Sequence, residues 1–166
     1  MTFVKSLMNQ IERVLAAACV LAFAIMLGLG VLTVLFRFVI QSSLAFPDEM
    51  IRYLFVWLIA IGSAIGLRRN IHAAIGILVK AMPDGLKRAA LVFASVVTVV
   101  FLAILIETGL ASTISALSQI SPAMQISMAW VFAAVPVGAL FGLLFTVETL
   151  VSQLTLPVSE LAVDDH

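Results

Sequence analysis

Few residues in this chain could do chemistry, and they do not gather. The histidines are His72 and His166, and the single cysteine is Cys19. One cysteine closes no internal disulfide and forms no CxxC redox or metal motif. Neither histidine falls inside an apolar run, which rules out paired axial ligands for a membrane haem. Ser112, Ser115 and Ser118 stand close together with no histidine in sequence reach, so no nucleophile and base pair up. Carboxylates and arginines remain. Asp48 and Glu49 precede Arg52 by four and three residues, a spacing that lets all three share a helix face. Glu107 and Glu148 stand alone. This is the chemistry of ion pairs and helix ends. No enzyme, metal site or cofactor is expected.

Composition fixes the elements that carry these residues. Of 166 residues, 63% are apolar and 11% charged, and the mean hydropathy is +1.23. Soluble domains average about 45–50% apolar and about 25% charged, so the natural solvent here is lipid. A formal net charge of zero offers no basic surface for nucleic acid. A hydrocarbon core about 30 Å thick needs about 20 apolar residues as helix, and four stretches qualify, at about 14–36, 50–67, 89–110 and 127–150. Backbone groups in lipid must be paired internally, which makes each a helix. Pro136 should bend the last one. The first stretch is longer than the apolar region of about 7–15 residues in a signal peptide, so it reads as a retained anchor. The expectation is an all-α integral membrane protein, one membrane domain over 1–166.

Lysine and arginine set the orientation. Lys5, Arg13, Arg68, Arg69, Lys80, Lys87 and Arg88 fall on one side, and Arg37 and Arg52 on the other. The positive-inside rule then places both termini in the cytoplasm. Residues 71–82, IHAAIGILVKAM, are too short to span. They read as a short interfacial helix ended by Pro83-Asp84-Gly85, with a re-entrant segment as the competing reading. Arg68, Arg69, His72 and Lys80 would anchor the cytoplasmic face.

The charges at 48–52 suit a helix start. Pro47 fits the first turn, where its missing N–H is no loss, and Asp48 and Glu49 meet the positive end of the helix dipole. Arg52 lies a turn inside the boundary, deeper than a simple anchor needs. Arg37, ending the first span on the same side, is expected to join Asp48, Glu49 and Arg52 in an outer charge cluster. Its role is either structural or a docking surface. Trp57 sits mid-span, away from the headgroup belts that suit Tyr53 and Trp130, so its N–H needs a protein partner. Gly62 and Gly66 form GxxxG, and Ala134, Gly138 and Gly142 recur every fourth residue; both are candidate packing faces, within the chain or against a partner. Glu107 and Glu148 are each expected within a turn of a span end, which leaves span centres free of acids.

The stretch VLTVLFRFVI…LAFPDEMIRYLFVWLIAIGSAIGLRRNIHAAI resembles the signature region of the small membrane subunit of tripartite ATP-independent periplasmic (TRAP) transporters, the DctQ family. The matching elements are Arg37-Phe38, Phe46-Pro47-Asp48-Glu49, Arg52-Tyr53-Leu54-Phe55-Val56-Trp57, Gly62-Ser63-Ala64 and Arg68-Arg69-Asn70-Ile71-His72. Pro47 replaces a small residue, Asp48 replaces a glutamate, and Ala73-Ala74 stand where polar residues often follow. The resemblance implies a multi-pass protein of a bacterial or archaeal inner membrane. It also implies two partners besides lipid. A periplasmic substrate-binding protein captures an organic acid such as sialic acid or a dicarboxylate, and a large membrane subunit holds the substrate and sodium sites. This chain would clasp the fixed part of the large subunit and bind no substrate itself. The alternatives are a self-contained four-helix exporter, which needs a central membrane carboxylate, and an anchor subunit of another complex.

Overall fold

A computed structural model describes residues 2–41, 45–79 and 84–155. Helix α1 is Thr2–Leu35, closed by a π-helical turn at Phe36–Ile40, whose cap Gln41 is left-handed and donates its N–H to the Phe36 carbonyl. Helix α2 is Ala45–Val79, α3 Asp84–Ser115, α4 Ala129–Phe132 and α5 Ala134–Thr155. Four segments are long and apolar enough to cross a membrane: Ser6–Val39, Phe46–Arg69, Arg88–Ser115 and Ala129–Thr155. These are the four expected spans, each with moved ends.

Three differences have physical causes. First, α2 runs through Arg68-Arg69-Asn70 to Val79 without a break. No proline stands there, and the single Gly76 does not break the helix, so 71–79 continue the second spanning helix instead of starting a separate one; 80–82, with Lys80, lie outside the described residues. Second, the last span is divided at Ala133, three residues ahead of Pro136. Helix α4 ends at Phe132, whose carbonyl would have bonded the N–H that Pro136 lacks. Third, α3 extends past Leu110 to Ser115. Its late hydroxyls bond their own helix, Thr108 to the Ile104 carbonyl at 2.8 Å and Ser112 to the Thr108 carbonyl at 2.8 Å, so polar composition does not end it.

Helix α5 is the centre of the bundle, packed on α2 and α3, while α1 lies chiefly against α2. Close approach is made by glycine. A Cβ at Gly138 would stand 2.6 Å from the Ala60 carbonyl oxygen, and one at Gly109 2.9 Å from the Pro136 ring. Leu15, Ala64 and Phe145 form the buried core where α1, α2 and α5 meet, flanked by Met8, Ile11, Ile61, Ile65 and Phe141.

This register corrects the depth of Glu107. Gly138 touches Ala60 and Gly109 touches Pro136, which sets Glu107 at about the depth of Ala60. Ala60 is about 16 Å of helix from Glu49 and about 12 Å from Arg68 at 1.5 Å per residue. In the third span, Arg88–Ser115, Glu107 thus stands about two turns inside the outer end rather than within one, and the span centre itself carries no acid.

Between α3 and α4, residues 116–128 fold into a compact cap. Ile120 bridges Ser127 in antiparallel fashion, Ser121 N–H donates to the Ile126 carbonyl at 2.8 Å, and Met128 N–H to the Gln119 carbonyl at 2.8 Å. Gln125 turns the chain with φ 55°.

Candidate functional site

Two polar clusters hold opposite ends of the bundle. At the first, Glu49 in the opening turn of α2 is buried, with 6% of its surface exposed. Its Oε2 accepts the N–H of Ala123 at 2.9 Å and of Met124 at 2.8 Å. Successive amides converging on one oxygen make an anion-binding concavity, and such charge-assisted bonds are about twice as strong as neutral ones. The Tyr53 hydroxyl, one turn on, donates to Oε1 and lies 3.3 Å from Met128 Sδ. Glu49 thus clamps the 116–128 cap onto α2.

The expected outer charge cluster is not held by ion pairs. Among the described residues none joins Arg37, Asp48, Glu49 and Arg52. Arg52 Nε donates to the Asp48 backbone carbonyl at 3.3 Å, not to a carboxylate. Arg37, Asp48 and Arg52 are exposed. Glu49 faces the cap, whose amides supply the donors that arginine was expected to supply.

At the other end, Arg68 is a hub rather than a snorkelling anchor. Its Nη1 donates to Glu12 Oε2 at 2.7 Å and to the Met8 carbonyl at 2.9 Å. Its Nη2 donates to Asn9 Oδ1 at 2.8 Å and lies 3.2 Å from Glu148 Oε2. The guanidinium carbon sits 5.1 Å from the centre of the Phe145 ring, within reach of a cation–π contact. One planar fork so ties α1, α2 and α5, a task lysine cannot match. Arg69 Nε bonds Glu12 Oε1 at 2.6 Å from an exposed position. Glu148, expected as a lone interfacial carboxylate, is a partner in this hub. The side chains of His72 and Lys80 lie outside the described residues.

Trp57 finds its partner inside the chain: Nε1 donates to the Trp130 carbonyl at 3.1 Å. The glycine faces divide. Gly138 packs on Ala60, and Gly142 meets Leu67 and Leu102. A Cβ at Gly62 would meet nothing within 4 Å, so that position opens onto free space, and Gly66 lines an open apolar groove of about 750 Å³ with Ile59, Ser63, Phe101, Leu105 and Val135. No group of three or more His, Cys, Asp or Glu able to hold a metal occurs among the described residues.

Sequence reasoning missed Glu12 and Asn9, which carry no local mark of their role, and the buried pair Ser95–Gln153, whose Oγ and Oε1 are 2.9 Å apart between α3 and α5. An arginine with two well-placed acids was the available signal; their distance in sequence hid it.

Residues 26–156 match the family described as tripartite ATP-independent periplasmic transporters, DctQ component. The chain belongs to the DctQ family. It is a TRAP transporter small membrane component and a multi-pass membrane protein, not an enzyme. Two Haemophilus influenzae proteins named as TRAP transporter small permeases are similar to it. One is 32% identical over 79 residues, covering 48% of this chain and 49% of that protein; the other is 23% identical over 131 residues, covering 79% of each. The sialic acid TRAP transporter permease protein SiaT of Haemophilus influenzae is 27% identical over 132 residues, covering 80% of this chain and 21% of SiaT. This DctQ chain thus spans about half of the first relative and a fifth of SiaT. The family match takes in Glu49, Arg68 and Glu148 but begins after Met8, Asn9 and Glu12, so α1's share of the Arg68 hub lies ahead of it.

Proposed function

We propose that this chain braces the large, sodium-coupled membrane subunit of a TRAP importer in a bacterial or archaeal cytoplasmic membrane. In this reading a periplasmic substrate-binding protein delivers an organic acid, and the large subunit carries it. Sialic acid, from the name of SiaT, and dicarboxylates, from the family resemblance, are the substrate classes to try first.

The observation that supports a bracing role is the placement of the polar contacts. Glu49 and Arg68 lock the two ends of the bundle, and Gly138 brings α2 and α5 into backbone contact between them. Glu49, Trp57, Arg68 and Ser95 spend their polar groups on joining segments of the bundle, and much of the outward surface is apolar, as at Phe93, Phe101 and Val100. A rigid bundle with apolar outer faces suits a fixed support beside a moving carrier.

The test is reconstitution. The chain, the large subunit and the binding protein encoded beside it are placed in proteoliposomes, and uptake of labelled sialic acid and C4-dicarboxylates is followed with and without a sodium gradient. Uptake that requires all three proteins and sodium is expected. Full uptake without this chain would overturn the bracing role.

A further inference from the structure

We infer that the face of α3 centred on Glu107 is where this chain meets the large subunit, and that the contact pairs the Glu107 carboxylate with a lysine or arginine of a partner membrane helix. The inference rests on the proposed assembly and names the surface that serves it.

Glu107 points away from the bundle. Helix α3 packs on α5 through Leu91, Ser95, Leu102 and Gly109, all buried. On the opposite face Phe93, Val96, Val100, Ala103, Glu107 and Ala111 are all exposed. Side chains four apart on a helix share a face, so Ala103 and Ala111 flank Glu107 above and below. These two small neighbours let another helix come close enough to reach the carboxylate.

Depth makes the carboxylate demanding. It lies near the level of Ala60 through the Gly109–Pro136 and Gly138–Ala60 contacts, about two turns inside the outer end of its span. An ionisable side chain at that depth is costly when it faces lipid, and such groups pair with one another or face a protein interior. No ion pair or side-chain hydrogen bond among the described residues involves Glu107. The cations described near the bundle are used or distant. Arg68 and Arg69 hold Glu12, Arg13 stands beside Glu12 on α1, Arg88 bonds the Leu154 carbonyl, and Arg37 and Arg52 stand at the Glu49 end. A carboxylate about two turns inside its span on an apolar, outward face calls for a cation from outside the chain, carried by a helix at the same depth. The large membrane subunit is the partner whose helices would be there.

The experiment uses the full chain co-expressed with the large subunit, with Cys19→Ser as background. Cysteines introduced as Ala103→Cys and Ala111→Cys carry a benzophenone maleimide and are irradiated in membranes. Adducts with the large subunit are expected from both positions. Glu107→Leu and Glu107→Gln should each lower the large subunit recovered with the chain by about 3- to 30-fold, the range of one interhelical polar contact in a membrane. The thermal midpoint of the chain purified alone should stay unchanged, because Glu107 holds nothing within it. Adducts only between two copies of this chain, or none, would overturn the proposed face, as would full recovery with Glu107→Gln. If the unsubstituted chain does not co-purify with the large subunit at all, the proposed assembly fails first, and the face with it.

Discussion

The Glu49 carboxylate accepts the backbone N–H of Met124 at 2.8 Å across 75 residues of sequence. A single side chain at the start of α2 thereby decides where the cap between α3 and α4 sits. Asp48, its neighbour, is exposed and takes no part in the clamp.

The clamp predicts unequal effects from two adjacent acids. Glu49→Ala leaves the amides of Ala123 and Met124 unpaired in a part-buried site, at about 1–3 kcal/mol for each group left without a partner. The purified chain should unfold at lower temperature, and limited proteolysis should cut within 116–128. Asp48→Ala should change stability by less than about 0.5 kcal/mol. Equal effects would show that helix-dipole charge, and not the amide contacts, is what matters.

At the other end, Arg68→Ala leaves Glu148 without its cation and Glu12 with only the exposed Arg69. Removing one member of a buried pair costs about 3–5 kcal/mol; with side chains 14–16% exposed, the low end applies. Arg68→Lys should recover only part, because a point charge cannot reach Glu12, Asn9 and Glu148 together. Adding Glu12→Gln to Arg68→Ala should restore some stability. Thermal unfolding in detergent gives the coupling directly, and additive effects of the two changes would argue against a hub.

The sequence announced what lipid demands and little of what side chains choose. Four helices were legible because crossing a bilayer fixes both length and apolarity. That Trp57 needs a partner was legible from its depth; that the partner is the Trp130 carbonyl was not, since every residue carries a carbonyl. The Glu49 clamp was hidden for the same reason, its donors being backbone amides. Arg68 and Glu12 are 56 residues apart, and no periodicity links them. Gly62 and Gly138 sit in similar small-residue patterns, yet one faces open space and the other Ala60, because spacing says that a face is small and not what lies against it. Glu107 stands about two turns from the end of its span, not one, because Thr108, Ser112 and Ser115 satisfy their hydroxyls on their own helix, so a polar stretch remained helical.

Orientation can be checked apart from all of this. With Cys19 replaced, cysteines at Ser43 and Ser118 should react with a membrane-impermeant maleimide in intact cells, and one at Ser159 only after lysis. This follows from the seven lysines and arginines assigned to one side against Arg37 and Arg52 on the other. Labelling of position 159 in intact cells would reverse the topology.

The two glycine faces give the last contrast. At Gly138 a methyl group would fall 2.6 Å from the Ala60 carbonyl oxygen and 2.9 Å from its Cβ. Neither is the far end of a flexible chain, so α5 must move off α2, and overpacking of this kind costs about 1–3 kcal/mol. Gly138→Ala should therefore destabilise the chain by itself. Gly142→Ala should cost less, since the nearest atom is Leu67 Cδ1 at 3.2 Å, which can rotate. Gly62→Ala should leave the isolated chain no less stable than its parent to within about 0.5 kcal/mol, its Cβ having nothing within 4 Å to strike. Thermal midpoints of the three purified variants rank the contacts. If Gly62→Ala lowers the midpoint as much as Gly138→Ala does, the α2 face at Gly62 packs within the chain after all.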